Sequence, residues 1–298
     1  MLTGSNAVAV DTNTPAENAV LPAYAVFGNP IKHSKSPTIH TEFARQFDEQ
    51  ITYRALRVED DEFEARVKAF FEGGGQGLNI TVPFKERAYA LADQASERAT
   101  RAGAANCLIP QADGQLRADN TDGVGLVRDM VANHGWTLAG RKTLVLGAGG
   151  AVRGILQPLL AESPSAIVIA NRTPERAQQL AAAFAADSRV PVIGCGLDEL
   201  SGASFDLIIN GTSAGLSGDM PALPELDLSD RCCCYDMVYG PEPTAFMRWA
   251  ASKAAWAVAD GLGMLVEQAA ESYYLWRGKR PETAPVVQQL RALMENNA

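Results

Sequence analysis

A short apolar run, Thr143-Leu144-Val145-Leu146, leads without a break into Gly147-Ala148-Gly149-Gly150-Ala151 and then into a helical pattern reaching about residue 161. A strand that turns through glycines into a helix leaves the first helical N–H groups facing outward beside the positive end of the helix dipole. A pyrophosphate can rest there. Such a turn belongs in a parallel, doubly wound sheet. The residues that follow supply one: strands are predicted at 166–170, 190–193, 205–210 and 233–238, with a helix from Thr173-Pro174 to about 186. Val152 stands where a third small residue is usual, which leaves open how closely helix and strand pack. A glycine turn that holds no ligand is the competing reading.

The next strand bears on which nucleotide would fit. It ends Ala170-Asn171-Arg172-Thr173-Pro174-Glu175-Arg176, with no carboxylate at the strand tip to accept bonds from ribose hydroxyls. Two guanidinium groups at this point suit a 2′-phosphate, hence NADP. A solvated helix start is the other reading, although arginine is disfavoured near a helix N-terminus.

Upstream lies a second α/β pattern. Strands are predicted at 24–28, 53–58 and 77–81, with helices at 36–47, 60–72, 85–91 and 96–101. Ser36-Pro37 reads as an N-cap followed by proline at the first helical position, and Asp113-Gly114 as a hairpin turn joining 105–110 to 116–119. A helix at 122–134 links the two patterns; an amphipathic helix at 261–277 and another at 285–295 close the chain. The expected division is an extension at 1–21, a unit at 22–121, a dinucleotide unit at 122–260 and C-terminal helices at 261–298 that return to the first unit. The 298 residues suffice for two cores.

A net charge of −9 argues against non-specific nucleic-acid binding, and it requires that any anionic substrate be held by a locally cationic pocket. No apolar run approaches the roughly 18–20 residues of a membrane span. The polar start, rich in Asn, Thr and Ala, lacks the basic and apolar segments of a secretory signal and reads as disordered. Five cysteines, three of them consecutive at Cys232-Cys233-Cys234, show no C-x-x-C pair, and three histidines give little for a metal. A reduced, cytoplasmic protein without a metal is expected, as a monomer or homodimer.

Polar side chains gather at the ends of apolar runs in Asn79-Ile80-Thr81-Val82-Pro83-Phe84-Lys85 and Asn120-Thr121-Asp122-Gly123. Lysine and aspartate brought together can handle the proton of a ketone–alcohol interconversion. Singly, each residue has a plain reading: Lys85 as a surface charge, Asp122 as a helix cap, Ser34 and Ser36 as turn and capping residues.

Taken jointly these segments resemble the shikimate dehydrogenase family. The resemblance rests on Gly28-Asn29-Pro30-Ile31 with His33-Ser34-Lys35-Ser36-Pro37, on the two segments above, on Gly103-Ala104-Ala105-Asn106, on Asn171-Arg172-Thr173, and on 260–270, in order along about 22–290. It implies two domains, an α/β substrate domain and a Rossmann-type NADP domain, with the active site in the cleft between them. It implies NADPH-dependent reduction of 3-dehydroshikimate to shikimate, on the route to chorismate and aromatic amino acids. By the same resemblance Lys85 and Asp122 are the catalytic pair, and Ser34 and Ser36 bind the substrate carboxylate. Thr81, Asn106, Asp122 and Gln268 hold ring hydroxyls and the reacting oxygen, and Tyr239 adds a contact. The segments 147–151 and 171–176, with Met237, Gly261 and Glu97, surround NADP. Cys107, beside Asn106, would make the site sensitive to thiol reagents. Pro243-Thr244-Ala245-Phe246 departs from the family's Thr-Pro-Phe turn and leaves open the path of the loop carrying Tyr239. Two further readings stand: a quinate/shikimate dehydrogenase of broader specificity, and a dinucleotide-responsive binding protein without catalysis.

Overall fold

In the computed structural model, which describes residues 21–212, 214 and 219–296, the two apolar patterns become two six-stranded sheets. The extension expected at 1–21 lies, apart from Leu21, outside the described residues.

The first sheet uses β1 (Ala23–Gly28), β2 (Thr52–Arg57), β3 (Gly75–Ile80), β4 (Gln94–Ala95), β5 (Cys107–Pro110) and β6 (Leu116–Asp119), in the order β2-β1-β3-β5-β6-β4. β1 pairs in parallel with β2 and β3, whereas β5 is antiparallel to both β3 and β6. Buried on both faces, β1 reads as an unbroken apolar run. Its Ala25 and Phe27 enter one core cluster with Leu78 and Ile80, while Tyr24 and Val26 enter another with Ile31 and Tyr53. Around this sheet run α1 (Ser36–Arg45), α2 (Phe63–Glu72), α3 (Lys85–Leu91) and α4 (Glu97–Ala102).

The second sheet is wholly parallel and follows the order β12-β11-β10-β7-β8-β9. Its strands are β7 (Lys142–Leu146), β8 (Ala166–Asn171), β9 (Val192–Gly196), β10 (Ser204–Asn210), β11 (Asp227–Asp236) and β12 (Ala257–Ala259). Read outward from β7 in chain order, this is the Rossmann arrangement, and the reversal falls between β7 and β10, where α/β sheets bind ligands. Cys233 joins the core on one face, Cys232 and Cys234 the core on the other. The cysteine run is thus ordinary strand alternation.

The helices of the second half are α5 (Asp122–Arg128), α6 (Gly150–Ala161), α7 (Pro174–Ala185), α8 (Ala245–Ser252), α9 (Leu262–Arg277) and α10 (Ala284–Glu295). The single helix expected at 122–134 is instead α5 followed by a π turn, Asp129–Asn133. A buried carboxylate accompanies the change. Asp129 accepts bonds from Tyr235 Oη (2.6 Å) and Asn133 Nδ2 (2.8 Å), and a Cβ added at Gly263 would sit 2.0 Å from its Oδ1. β11 starts six residues before its expected position because its polar first half pairs with Ser204 and Phe205 of β10. α8, β4 and β12 had no strong periodic signal; α8 is capped by Thr244, whose Oγ1 accepts from Met247 N and also donates to Asp236.

α9 departs furthest from expectation. It is buried nearly all round, Glu267 and Glu271 included. Both carboxylates are paired, as burial requires. Glu267 meets Arg128, Asn133 and Thr283, while Glu271 meets Arg98 and Arg280. The helix thereby runs through the centre of the molecule, packed against α5, α1 and α10.

His40 on α1 is fully enclosed, its ring stacked on Tyr53 at 4.3 Å and flanked by Phe43, Tyr273 and Trp276. Burial among these rings disfavours the cation and lowers its pKa to about 3. An unfolded histidine takes up its proton near pH 6.5. Between those values the unfolded chain binds the extra proton, so stability present above pH 6.5 is lost as the pH falls, by about 1.4 kcal/mol per unit. We expect thermal melts between pH 6.5 and 5 to fall more steeply for the wild type than for His40→Phe. Parallel melting curves would show that His40 does not carry this dependence.

Candidate active site

Lys85 opens α3 at the C-terminal end of β3, and Asp122 opens α5 just beyond β6. The two ends meet. Lys85 Nζ donates to Asp122 Oδ2 at 2.6 Å, with both side chains partly buried. Phe84, which precedes the lysine, is buried and stacked on Phe63 at 4.6 Å, and Ala105 N donates to Lys85 O at 2.8 Å, so the start of α3 is fixed from both sides. Asp122 does not cap α5: the capping position belongs to Thr121, without a side-chain bond. Its second oxygen, Oδ1, instead accepts from Asn106 Nδ2 at 2.8 Å.

Asn106, buried, is the hub of the arrangement. Its Oδ1 accepts from Thr121 N (2.8 Å), and its Nδ2 also lies within reach of Thr121 Oγ1 (2.9 Å) and Gln268 Oε1 (3.3 Å). Gln268 comes from α9 and is oriented by its own bond to Leu265 O at 2.8 Å. A further layer stands behind. Asn79 Nδ2 donates to Asn106 O and Ser272 Oγ, both at 3.0 Å, and Tyr53 Oη donates to Asn79 Oδ1 at 2.7 Å.

These groups form one wall of a cavity of about 510 Å³. All eight residues expected to touch substrate line it: Ser34, Ser36, Thr81 and Lys85 from the first half, with Asn106, Asp122, Tyr239 and Gln268. Ser36 is not the N-cap expected from Ser36-Pro37; Lys35 holds that position without a side-chain bond, and Ser36 is the first helical residue. Ser36 N donates to Ser34 Oγ at 3.3 Å, which brings the two serines together at one end. Lys32 and Lys35 join Lys85 in the lining, against Asp122 as the acidic member. The cavity is therefore locally cationic within a chain of net charge −9. Burial raises the Tyr239 pKa, so its hydroxyl stays neutral and available as donor or acceptor. The departure at 243–246 is absorbed by Thr244, whose bond to Asp236 ties down the segment after Tyr239.

On the nucleotide side, Gly147 adopts φ +102°, and a Cβ there would approach Gly211 O at 3.1 Å, so the turn needs glycine. Gly149 and Gly150 face open space, with nothing within 4 Å of an added Cβ. Ala151 follows them in the first turn of α6, which has no side-chain cap and leaves N–H groups for an anion. Val152 is buried in the core, and a Cβ on Gly211 would meet its Cγ2 at 2.5 Å. The close approach expected of a third glycine has moved to the facing strand end. β8 ends at Asn171, whose Nδ2 donates to Thr173 O at 3.0 Å, and Pro174 starts α7. Arg172, Glu175 and Arg176 are exposed there, and among the described residues neither arginine forms an ion pair. Met237 bridges the two regions. It lines the cavity, its Sδ would lie 3.1 Å from a Cβ on Gly211, and its carbonyl oxygen would lie 2.3 Å from one on Gly261.

Glu97 is not brought to this site. It lies exposed on α4 and lines a separate hollow with Gln157, Ala161 and Glu162, at the far end of α6 from its glycine turn. The expected thiol sensitivity of Cys107 is also not supported: the side chain is fully buried, and desolvation pushes its pKa far up, away from the reactive thiolate. The sequence reading missed Asn79 and Tyr53 as the support behind Asn106, and Lys32 and Lys35 as cationic lining. A polar Asn79 inside an apolar strand was the one available signal.

The sequence matches the family description "Shikimate dehydrogenase substrate binding domain" over residues 26–108, "Shikimate / quinate 5-dehydrogenase" over 129–216, and "Shikimate 5'-dehydrogenase C-terminal domain" over 261–291. It is 57% identical over 268 residues to a shikimate dehydrogenase (NADP(+)) of Alkalilimnicola ehrlichii, covering 90% of this chain and 98% of that protein. Among solved structures, the Ael1 enzyme from Pseudomonas putida is 46% identical with a TM-score of 0.83, covering 90% of this chain and 98% of that one. The shikimate 5-dehydrogenase of Thermus thermophilus, solved with NADP(H) and shikimate, is 31% identical with a TM-score of 0.79, covering 91% and 99%.

The site depends on α5 and α9 lying close together. A Cβ at Gly125 would stand 2.7 Å from Gln268 N and 2.9 Å from Met264 O, both backbone atoms. Alanine favours a helix interior by about 1 kcal/mol over glycine, yet here it must push α9 away, at a typical cost of about 1–3 kcal/mol. Gly125→Ala is expected to lower the melting temperature and raise the KM for substrate. An unchanged or higher melting temperature would show that the helices are not in this contact.

Proposed function

The chain belongs to the shikimate dehydrogenase family, and we propose that its cleft cavity is where 3-dehydroshikimate is reduced, reversibly and with NADPH, to shikimate. The observation that carries this reading is the Lys85–Asp122 pair at 2.6 Å, set in a cationic cavity that adjoins the glycine turn through Met237. The reading places the reaction in the pathway to chorismate and aromatic amino acids. Five cysteines buried as free thiols support a reducing, cytoplasmic setting.

The glycine turn and the arginines at the β8 tip fit NADP: there is open space at Gly149 and Gly150, an uncapped helix start, and two guanidiniums without protein partners among the described residues. Gly147, Ala148, Gly149, Gly150 and Ala151 would hold the pyrophosphate, Arg172 and Arg176 the 2′-phosphate, with Asn171, Thr173, Pro174 and Glu175 shaping that end. Met237 and Gly261 would bound the nicotinamide. Bound there, the cofactor supplies the hydride for the ketone carbon.

The chain's own residues do the rest. Ser34 and Ser36, with Lys32 and Lys35 nearby, would hold the carboxylate at one end of the cavity. Thr81, Asn106, Tyr239 and Gln268 would position the ring hydroxyls. Asp122 fixes the Lys85 ammonium in place. That ammonium hydrogen-bonds the carbonyl oxygen, draws electron density toward it and gives up a proton as the alkoxide forms. In the reverse direction the neutral amine takes the hydroxyl proton. The proposed division is a substrate unit at 22–121, a nucleotide unit at 122–260 and a C-terminal part at 261–298 that returns to the first unit; it is supported by the strands of the first sheet falling within 22–121 and those of the second within 122–260. Closure of the cleft would bend the chain near 121–123 and 260–262.

Absorbance at 340 nm with shikimate or quinate, each with NADP or NAD, tests the reading. NADP reduction with shikimate is expected, and no reduction in any combination by folded protein would contradict it. Comparable rates with quinate would favour the broader dehydrogenase. Lys85→Met is expected to lower kcat by about 10²–10⁴-fold while shikimate still binds. A variant that kept most of its turnover would remove Lys85 from the chemistry. Arg172→Ala with Arg176→Ala is expected to raise the KM for NADP about tenfold or more and leave that for NAD nearly unchanged.

A further inference from the structure

Arg291 on α10 touches neither the cavity nor the glycine turn, yet it grips two loops that serve both. Its Nη1 donates to Gly240 O at 2.9 Å and its Nη2 to Asp260 Oδ1 at 2.6 Å. Gly240 follows Tyr239, and Asp260 precedes Gly261; Tyr239 and Gly261 both line the cavity. The loops are also joined directly, since Gly261 N donates to Val238 O at 3.2 Å. Asp260 is buried, and its Oδ1 accepts in addition from Leu262 N, at the start of α9. One guanidinium therefore ties the loop after β11 to the loop after β12.

The anchor of this grip lies in the other half of the molecule. α10 buries Val286 and Leu290 in one cluster with Ile39 and Phe43 of α1. Just ahead of it, Glu282 N donates to Gln46 Oε1 (2.7 Å) and Gln46 Nε2 donates to Glu282 O (2.8 Å), so the segment is bonded to the end of α1. α1 begins at Ser36, at the carboxylate-binding end of the cavity proposed above. A strut thus runs from α1 through α10 to the loops of the second sheet, and Arg291 is its terminal contact.

We infer that Arg291 is a positioning residue, which holds Tyr239 and Gly261 at the correct distance from the Lys85–Asp122 pair. The fixed fork of arginine can serve a carbonyl and a carboxylate at once, which a lysine cannot do with the same geometry. Without it, Asp260 is left buried without its cation, and the two loops lose their shared support. Tyr239 is a proposed substrate contact, so its displacement weakens binding of the substrate more than it changes the chemical step.

The inference rests on the cavity being the active site, and the test separates the two. Wild type, Arg291→Met, Arg291→Ala and Val67→Ala are assayed with shikimate and NADP, and each is melted. Arg291→Met is expected to raise the KM for shikimate about tenfold with kcat changed far less. Millimolar guanidinium or methylguanidinium is expected to restore part of the loss in Arg291→Ala and to leave the wild type unaffected. Val67→Ala, which only thins the packing under α2 and away from the strut, is expected to lower the melting temperature without raising KM. An unchanged KM in folded Arg291→Met, or a KM rise that Val67→Ala reproduces at equal loss of stability, would overturn the inference. A silent wild type would strike the proposed reaction instead.

Discussion

The ion pair between Lys85 and Asp122 holds together more than two side chains. Its members open two different helices, and the helix that begins with Asp122 carries the chain from the first sheet toward the second. A partly buried carboxylate costs stability unless its lone pairs are used. Here one oxygen faces the ammonium and the other faces Asn106. Asn106 is in turn satisfied by Thr121, Gln268 and, through its backbone, Asn79. The polar network therefore needs β3, α5 and α9 in one arrangement. The bare contact of Gly125 on α9 allows that arrangement, and paired Glu267 and Glu271 let α9 lie buried through the middle.

Local charge follows from the same architecture. The chain repels anions on average, but the turn before α1 and the start of α3 place three lysines on one cavity, opposed there by Asp122. At the other end of the cleft the features proposed to hold phosphate are mostly backbone: an uncapped helix start and glycines whose missing side chains leave space. Arg172 and Arg176 add guanidiniums without partners among the described residues, at a helix start where their charge opposes the dipole. An anion at this position would relieve both the unfilled donors and the unfavourable charge.

Much of this was legible in the amino-acid sequence because it is local. The strand–glycine–helix turn at 143–151, the polar ends at Lys85 and Asp122, and most element bounds depend on neighbours a few residues apart. What stayed hidden is non-local. A helix bearing Glu267 and Glu271 reads as amphipathic, since periodicity cannot show that arginines from α4, α5 and the segment before α10 will neutralise those carboxylates. The exchange of a third glycine for Val152, with the clearance supplied by Gly211 some sixty residues on, is invisible without the sheet order. Asp129 gave no warning that it would interrupt a helix with a π turn, because Tyr235 and Gly263 lie far along the chain. Glu97 shows the converse: the family resemblance implied a cofactor contact, whereas the fold turns it toward a different hollow.

The central claim is that Lys85 and Asp122 act as a single proton-handling unit. A double-mutant cycle on kcat, with Lys85→Met, Asp122→Asn and the combined variant compared with wild type, measures this directly. If the two groups act as one unit, the combined variant should be scarcely slower than Lys85→Met alone, so that the separate losses do not multiply. If the losses multiply, each residue acts independently of the other, and the ion pair at 2.6 Å would be a structural contact beside the chemistry rather than its source.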